Sequence, residues 1–294
     1  MKKWILLLPA IFILKLAFGQ DVLPHALLWK IEGNELTKPS YLFGTIHIIP
    51  TKDYFLPKGT EEALSSSKKL FLELDMDEMN DIGTMMKMMN KLLMEDGSSL
   101  SDWISKEDHA IVEDFFEDAG LPMMLFERMK PMFLSAFTAL DMNPKALSDG
   151  SMKSYEIEFA EMAKKKKMET EGLETIEFQM AIFDSIPYSV QAKMLVDGIK
   201  QSKNDTNDMS VLFEAYKQQN LNALEESIEA EDSGLSPYLD LLLKNRNASW
   251  IPLMAKQMKL QPSFFAVGAG HLAGSHGVIN LLKKEGYKVT PVLN

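Results

Sequence analysis

Short apolar runs bounded by turn residues mark both ends of the chain and predict buried strands. A turn containing Gly33-Asn34 and Lys38-Pro39 separates the first two runs, so these two should form a hairpin. A helix at Val278–Lys284 separates the last two, which favours a sheet with parallel members. The five runs are Ala26–Ile31, Tyr41–His47, Lys69–Asp75, Ser263–Gly268 and Tyr287–Leu293.

The middle of the chain has a different pattern. From Met76 to about Lys165 apolar residues recur at helical spacing, with breaks at positions such as Gly97 and Pro131. We therefore predict an α/β (α+β) fold, with a mixed sheet built from both chain ends and a large helical insertion at about 76–165. Residues 20–294 are predicted to form one domain.

The first nineteen residues have the features of a secretory signal peptide. A positive start, Met1-Lys2-Lys3, precedes an apolar stretch from Trp4 to Leu14, and Ala17-Phe18-Gly19 supplies small residues before a cleavage site. We expect export to the periplasm or the medium, with no stable membrane span once the signal is removed. A membrane anchor is the alternative, although the apolar stretch is shorter than the ~20 residues that a span needs.

Composition removes several function classes. The chain has no cysteine, which excludes disulfides, thiol catalysis and thiolate metal ligands. Its formal net charge of −11 supplies no basic field for a phosphate backbone, so nucleic acid is not an expected partner.

The same short motif, Gly-x-x-His, occurs twice. It spans Gly44 to His47 near the start and Gly268 to His271 near the end, and each copy follows a predicted strand. Functional groups collect at strand ends in open sheets. Two imidazoles at one sheet edge would begin a metal site or an acid–base pair, although either histidine alone is also compatible with a core role. Gly44, Gly268 and Gly270 would line that site.

Two charged residues could serve beside the histidines. Glu73 lies between Leu72 and Leu74 in a predicted strand, and a buried carboxylate there needs a partner or a cation. It would then have a raised pKa and act as general base, or bind a metal; a half-exposed strand is the alternative. Arg246, with Asn247 beside it, follows an apolar helical run and could stabilise developing negative charge, unless it is a surface residue.

The 21 methionines offer a non-enzymatic interpretation. Thioethers can bind copper(I), and methionine-rich helices can line an adaptable apolar groove.

Taken in order, several motifs resemble the TraB/GumN family, which includes the Tiki metalloproteases. The similarity is dense at both ends of the chain and loose between Met76 and Lys165. The resemblance implies an α/β core related to erythromycin-esterase-like and ChaN-like proteins, with divalent-metal-dependent hydrolysis. The motifs are Tyr41–Pro50, Leu72-Glu73, Gly172–Thr175 with Gln179, Arg246-Asn247 with Trp250, and Val267–Gly274.

The resemblance makes His47 and His271 the two motif histidines, Glu73 the strand carboxylate and Arg246 the arginine of the site. With Glu73, the histidines would hold Mn²⁺, Co²⁺ or Zn²⁺ in an exported hydrolase acting on a peptide or protein substrate. Two alternatives remain open: a metal-free hydrolase of the erythromycin-esterase type, and a non-enzymatic envelope protein that binds a peptide, a lipid or copper.

Overall fold

The computed structural model describes residues 22–76, 82–138, 150–203, 208–230 and 236–293. The predicted signal peptide, residues 1–19, lies outside these ranges. The described chain builds a six-stranded mixed sheet covered by helices. The predicted α/β fold class is confirmed.

The sheet joins strands from both chain ends and from the middle, in the order β6-β4-β7-β2-β1-β8. β1 pairs antiparallel with β2 and with β8, whereas the pairs β2–β7, β7–β4 and β4–β6 are parallel. The predicted hairpin is therefore present. The six strands are β1 (Leu28–Gly33), β2 (Ser40–Thr45), β4 (Lys69–Leu72), β6 (Glu169–Gly172), β7 (Ser263–Gly268) and β8 (Tyr287–Pro291).

Two further strands form a small separate sheet. β3 (Ile49–Pro50) pairs antiparallel with β5 (Met152–Lys153). This ladder brings the segment after His47 beside the segment that precedes the first turn of α5, although more than a hundred residues separate them in the chain.

Eleven α-helices occur in the described ranges, and several begin at side-chain caps. Ser105, Ser154 and Thr175 each accept a hydrogen bond from the backbone N–H three residues later, which satisfies one free donor of the helix start. The helices are α1 (Thr60–Ser66), α2 (Ile82–Lys91), α3 (Lys106–Asp118), α4 (Pro131–Thr138), α5 (Tyr155–Lys165), α6 (Ile176–Asp184), α7 (Tyr188–Lys203), α8 (Asp208–Lys217), α9 (Leu221–Ala230), α10 (Asn245–Leu260) and α11 (Val278–Lys284).

The apolar core lies on the sheet. Phe43, Phe71, Phe264 and Phe265 are fully buried on its central strands, because strands flanked by others and covered on their faces can be apolar throughout. A second buried cluster joins α3, α4 and α7 and includes Phe116. In the described part of the chain, no helix combines the length and apolarity needed to cross a bilayer.

Two predicted strands that carry candidate site residues end earlier than expected. The strand predicted to reach Asp75 stops at Leu72, and the one predicted to reach His47 stops at Thr45. As a result, Glu73 and His47 lie just beyond the ends of their strands. For Glu73 this difference moves the side chain from the sheet interior to its edge, whereas His47 was already predicted at a strand exit.

Candidate active site

Polar side chains collect where four parallel strands end. Glu73 follows β4 directly, and Glu174 lies two residues beyond β6. The ladder continues past both strands, because Glu174 N–H donates to the carbonyl of Glu73 at 3.0 Å. Gly268 ends β7 and Thr45 ends β2. Since the carboxyl ends of parallel strands meet at one edge, residues far apart in the chain face the same place.

Helix α10 adds Arg246 to this edge, and every N–H of its guanidinium has a partner. Nε donates to Glu174 at 2.9 Å, and Nη2 donates to Glu73 at 2.6 Å and to Glu174 at 2.9 Å. Nη1 reaches the carbonyl of Leu242 at 3.1 Å and Nε2 of His271 at 3.2 Å. Arg246 thus cross-links two carboxylates and an imidazole, and would have to release one of them to bind a substrate.

Glu73 is buried and ionised. One carboxylate oxygen accepts from Arg246, and the other accepts from the backbone N–H of Gly268 at 2.8 Å. Burial alone would raise the pKa of Glu73, but its interactions with His271, Arg246 and His47 outweigh burial and lower that pKa to about 2. The prediction of a raised pKa for Glu73 is therefore wrong, because the sequence did not show the cationic partners. A carboxylate with so low a pKa is a weak general base at neutral pH.

His271 is buried and makes two hydrogen bonds, one donated by its Nδ1 and one accepted by its Nε2. Its Nδ1 lies 2.6 Å from Oδ1 of Asn247, whose Nδ2 donates to the carbonyls of His271 and His276 at 3.2 and 2.9 Å. The Asn247 oxygen must therefore accept, and Nδ1 must carry the proton. Nε2 is left with a lone pair, which accepts from Arg246 and lies 3.8 Å from Glu73. Burial lowers the pKa of His271 to about 4, so the ring is neutral.

His47 lies at the mouth of the site, with 76% of its side-chain surface exposed. Its Nδ1 is 3.3 Å from Oε1 of Glu156, in the first turn of α5. This hydrogen bond raises the pKa of His47 to about 9. His47 follows β2 by two residues, and Thr45 at the end of β2 lies opposite Gly268 at the end of β7, so both Gly-x-x-His loops leave the same edge of the sheet.

The glycines allow close approach. A Cβ on Gly268 would lie 3.2 Å from Oε1 of Glu73, and a Cβ on Gly44 would lie 3.2 Å from Ala269. A Cβ on Gly270 would meet Ile228 at 2.7 Å. The glycines of the second motif therefore let its loop pack against Glu73 on one side and α9 on the other.

The structure brings together Glu73, Arg246, Asn247 and His271 and places His47 beside them. Two carboxylates of the site received no role from the sequence. Glu174 could have been found, because like Glu73 it follows a short strand and because parallel strands align their ends. Glu156 carried no such signal, since its contact with His47 depends on the β3–β5 ladder.

One aromatic side chain, Trp250, and one amide side chain, Gln179, complete the hydrogen-bond network. The indole N–H of Trp250 donates to Glu174 at 2.8 Å, and its ring packs against His271 with centroids 4.5 Å apart. Gln179 donates to Glu174 at 3.1 Å. Glu174 therefore accepts hydrogen bonds from Arg246, Trp250 and Gln179, and these compensate for the burial of a carboxylate with 2% of its side-chain surface exposed.

The donors expected to hold a metal do not form a metal site as they are arranged. Among the described residues, no group of three or more His, Asp or Glu side chains is placed to hold a cation. The chemistry of His47, His271 and Glu73 suits Mn²⁺, Co²⁺ or Zn²⁺. However, Arg246 bonds both Glu73 and the lone pair of His271, and its positive charge occupies the position where a cation would be stabilised.

A cavity of about 340 Å³ lies next to this hydrogen-bond network. Asn247 and Gly270 form the shared wall, and acidic and apolar side chains such as Glu225 and Ile228 line the rest. Glu73 and His47 are not among its lining residues. A molecule in this cavity would contact the loop of His271 without touching the glutamates at the strand ends.

Comparison with known proteins agrees with the resemblance seen in the motifs. Metalloprotease TIKI2 of Danio rerio is 22% identical over 323 residues, covering 90% of this chain and 60% of the relative. Metalloprotease TIKI1 of Homo sapiens is 22% identical over 316 residues, covering 90% and 61%. The chain thus spans about 60% of the length of these relatives. No solved structure matches it significantly. The model of the TraB/PrgY/gumN family matches residues 27–291, and the chain belongs to that family.

Proposed function

We propose that the chain is an exported hydrolase that cleaves peptide bonds at the edge where Glu73, His271 and His47 meet. The observation that carries the proposal is the convergence of both Gly-x-x-His loops and a buried carboxylate on one sheet edge. The relatives named metalloproteases support peptide hydrolysis as the reaction class. Buried, mutually perturbed ionisable groups of this kind concentrate at catalytic sites.

The contacts of the site residues divide them into groups suited to proton transfer and groups that supply fixed charge or positioning. Hydrolysis of an amide needs a group that takes a proton from water and one that returns a proton to the leaving amine. The two imidazoles are suited to proton transfer, because each is fixed through Nδ1, and Nε2 of His271 becomes available once Arg246 releases it. Glu73 is bound to Arg246 and supplies fixed negative charge rather than a free base. Arg246 positions Glu73 and His271.

A divalent metal belongs to the proposal as a requirement to be tested. The relatives' names call for one, and His47, His271 and Glu73 are the chemically suitable donors. Because Arg246 already bonds two of these donors, we base no catalytic step on a metal. Metal-free hydrolysis is the second candidate, and the same observation favours it, since Arg246 supplies the positive charge that the site needs.

The experiment uses the mature chain from Gln20 and a set of internally quenched peptides. We expect cleavage, and we expect Glu73→Gln and His271→Ala each to lower kcat/KM by about 100-fold or more. Glu171→Gln is the matched control, because Glu171 is a half-exposed glutamate of strand β6 that pairs with Lys69 at the sheet surface. Peptide binding without cleavage by any form would overturn the proposal in favour of a binding protein.

Chelation separates the two hydrolytic candidates. The enzyme is stripped of metal, assayed, and assayed again after addition of Mn²⁺, Co²⁺ or Zn²⁺. Activity lost on stripping and restored by one ion supports metal dependence. Full activity after complete stripping, verified by metal analysis, supports the metal-free hydrolase.

A further inference from the structure

We propose that Glu156 is a positioning residue that holds His47 by its Nδ1, so that Nε2 faces the Glu73 cluster. Neither the sequence motifs nor the relatives assign this glutamate a role. The inference deepens the proposed function, and its kinetic test rests on that function. Its spectroscopic test does not.

Glu156 is itself held by polar side chains. Oε1 accepts from the Thr45 hydroxyl at 2.7 Å, and Oε2 accepts from the Ser154 hydroxyl at 3.0 Å. His47 Nδ1 lies 3.3 Å from Oε1. Glu156 has 16% of its side-chain surface exposed, against 76% for His47. A nearly buried, doubly anchored carboxylate thus holds an exposed imidazole, which would otherwise sample several rotamers at a cost in entropy.

The backbone around the pair is fixed by the small sheet. β3 begins two residues after His47, and β5 ends three residues before Glu156. Ile49 pairs with Lys153, and just beyond the ladder the backbone N–H of Thr51 donates to the carbonyl of Ser151 at 2.9 Å. This sheet joins the His47 loop to the start of α5. It therefore presents the carboxylate to the imidazole in a defined register.

The second motif histidine is anchored in the same manner. Asn247 takes Nδ1 of His271 at 2.6 Å and leaves Nε2 toward Glu73 at 3.8 Å. In the part of the chain that the structure describes, Nε2 of His47 has no hydrogen-bond partner. Both Gly-x-x-His histidines thus use Nδ1 for the scaffold and direct Nε2 into the site, where that of His271 accepts from Arg246. Acceptors that fix a functional histidine in this way typically change activity 10–100-fold when they are removed.

A purely structural role for Glu156 is the competing explanation, since it also satisfies the buried hydroxyl of Thr45. A double-mutant cycle distinguishes the two. We expect Glu156→Ala to lower kcat/KM by about 10–100-fold in the wild-type background and to have little further effect in His47→Ala. Glu156→Gln keeps an acceptor oxygen and should restore most of the loss.

Glu158→Ala is the control, because Glu158 lies two residues further along the same helix turn and pairs with Lys153 instead of His47. An equal loss from Glu156→Ala with and without His47 would overturn the inference. If Glu156→Ala does not fold, Glu156→Met fills the same space without an acceptor and takes its place.

Nitrogen NMR of the ring decides the question even if no peptide is cleaved. The His47 resonances are identified by their loss in His47→Ala and followed at constant pH. We expect Glu156→Ala to move the Nδ1 resonance, and Glu158→Ala to leave it in place. An unchanged Nδ1 resonance in Glu156→Ala would show that the carboxylate does not hold the ring.

Discussion

Replacing Arg246 by Met should expose how strongly the active-site edge depends on one guanidinium. Methionine retains an unbranched apolar side chain but provides no donor. The change leaves Glu73 and Glu174 without their cation, with 12% and 2% of their side-chain surfaces exposed. It also removes the donor to Nε2 of His271.

The expected loss of stability follows from the burial of these groups. Removing one partner of a buried ion pair costs about 3–5 kcal/mol, because the remaining charge has neither water nor a counter-ion. A typical folded domain has a free energy of unfolding of about 5–15 kcal/mol, so the variant keeps only part of it. With a urea slope of about 2–3 kcal/mol per M, the unfolding midpoint should fall by roughly 1–2 M.

The assay is urea unfolding followed by far-UV circular dichroism. Lys244→Met serves as the control, because Lys244 is a half-exposed cation two residues away whose partner Asp240 is mostly in water. We expect this control to change the free energy of unfolding by less than about 0.5 kcal/mol. Adding Glu73→Gln and Glu174→Gln to Arg246→Met should recover part of the loss, since it removes the unpaired charges.

A fall of less than about 1 kcal/mol for Arg246→Met would refute this reasoning. It would mean that the two glutamates find water or protons once the guanidinium is gone. Equal losses from Arg246→Met and Lys244→Met would contradict it in another way, because burial would then have no influence on the cost.

Four further substitutions test other parts of the structure. Gly268→Ala places a Cβ 3.2 Å from Oε1 of Glu73, so peptide hydrolysis should fall about tenfold or more with little change in the unfolding midpoint; unchanged kinetics would contradict this. Trp250→Phe loses the indole donor to a buried glutamate and should lower the free energy of unfolding by about 1–3 kcal/mol in urea titrations. Lys130 is fully buried against the partly exposed Asp184, so Asp184→Ala should cost about 3–5 kcal/mol and Lys130→Met much less; equal costs in the same titration would argue against a buried cation.

Much of the fold was predictable because it depends on local periodicity. The strand Ser263–Gly268 and the helix Val278–Lys284 have the predicted bounds. Their apolar runs and glycine punctuation are properties of adjacent residues. The placement of both Gly-x-x-His motifs at strand exits follows from the same pattern, and the family could be identified from motifs that remain in order along the chain.

What the sequence analysis missed concerns side chains whose pKa or contacts depend on residues far away in the chain. Glu73 was expected to have a raised pKa, because a carboxylate between two leucines suggests an apolar site. The structure supplies His271 and Arg246, 198 and 173 residues away in the chain, and their interactions with Glu73 reverse the direction of the shift. Glu156 was missed because its contact with His47 forms only where β3 meets β5.

By itself, the sequence determined the fold class, the family and the two histidine loops, because hydrophobic period and short motifs are read from neighbouring residues. Only the tertiary structure decided which charges meet at the sheet edge. The strand order β6-β4-β7-β2 places Glu174 and Glu73 beside the loop of His271, and α10 then inserts Arg246 between them. Electrostatic interactions depend on distance in space, and the sequence does not show which strands are neighbours.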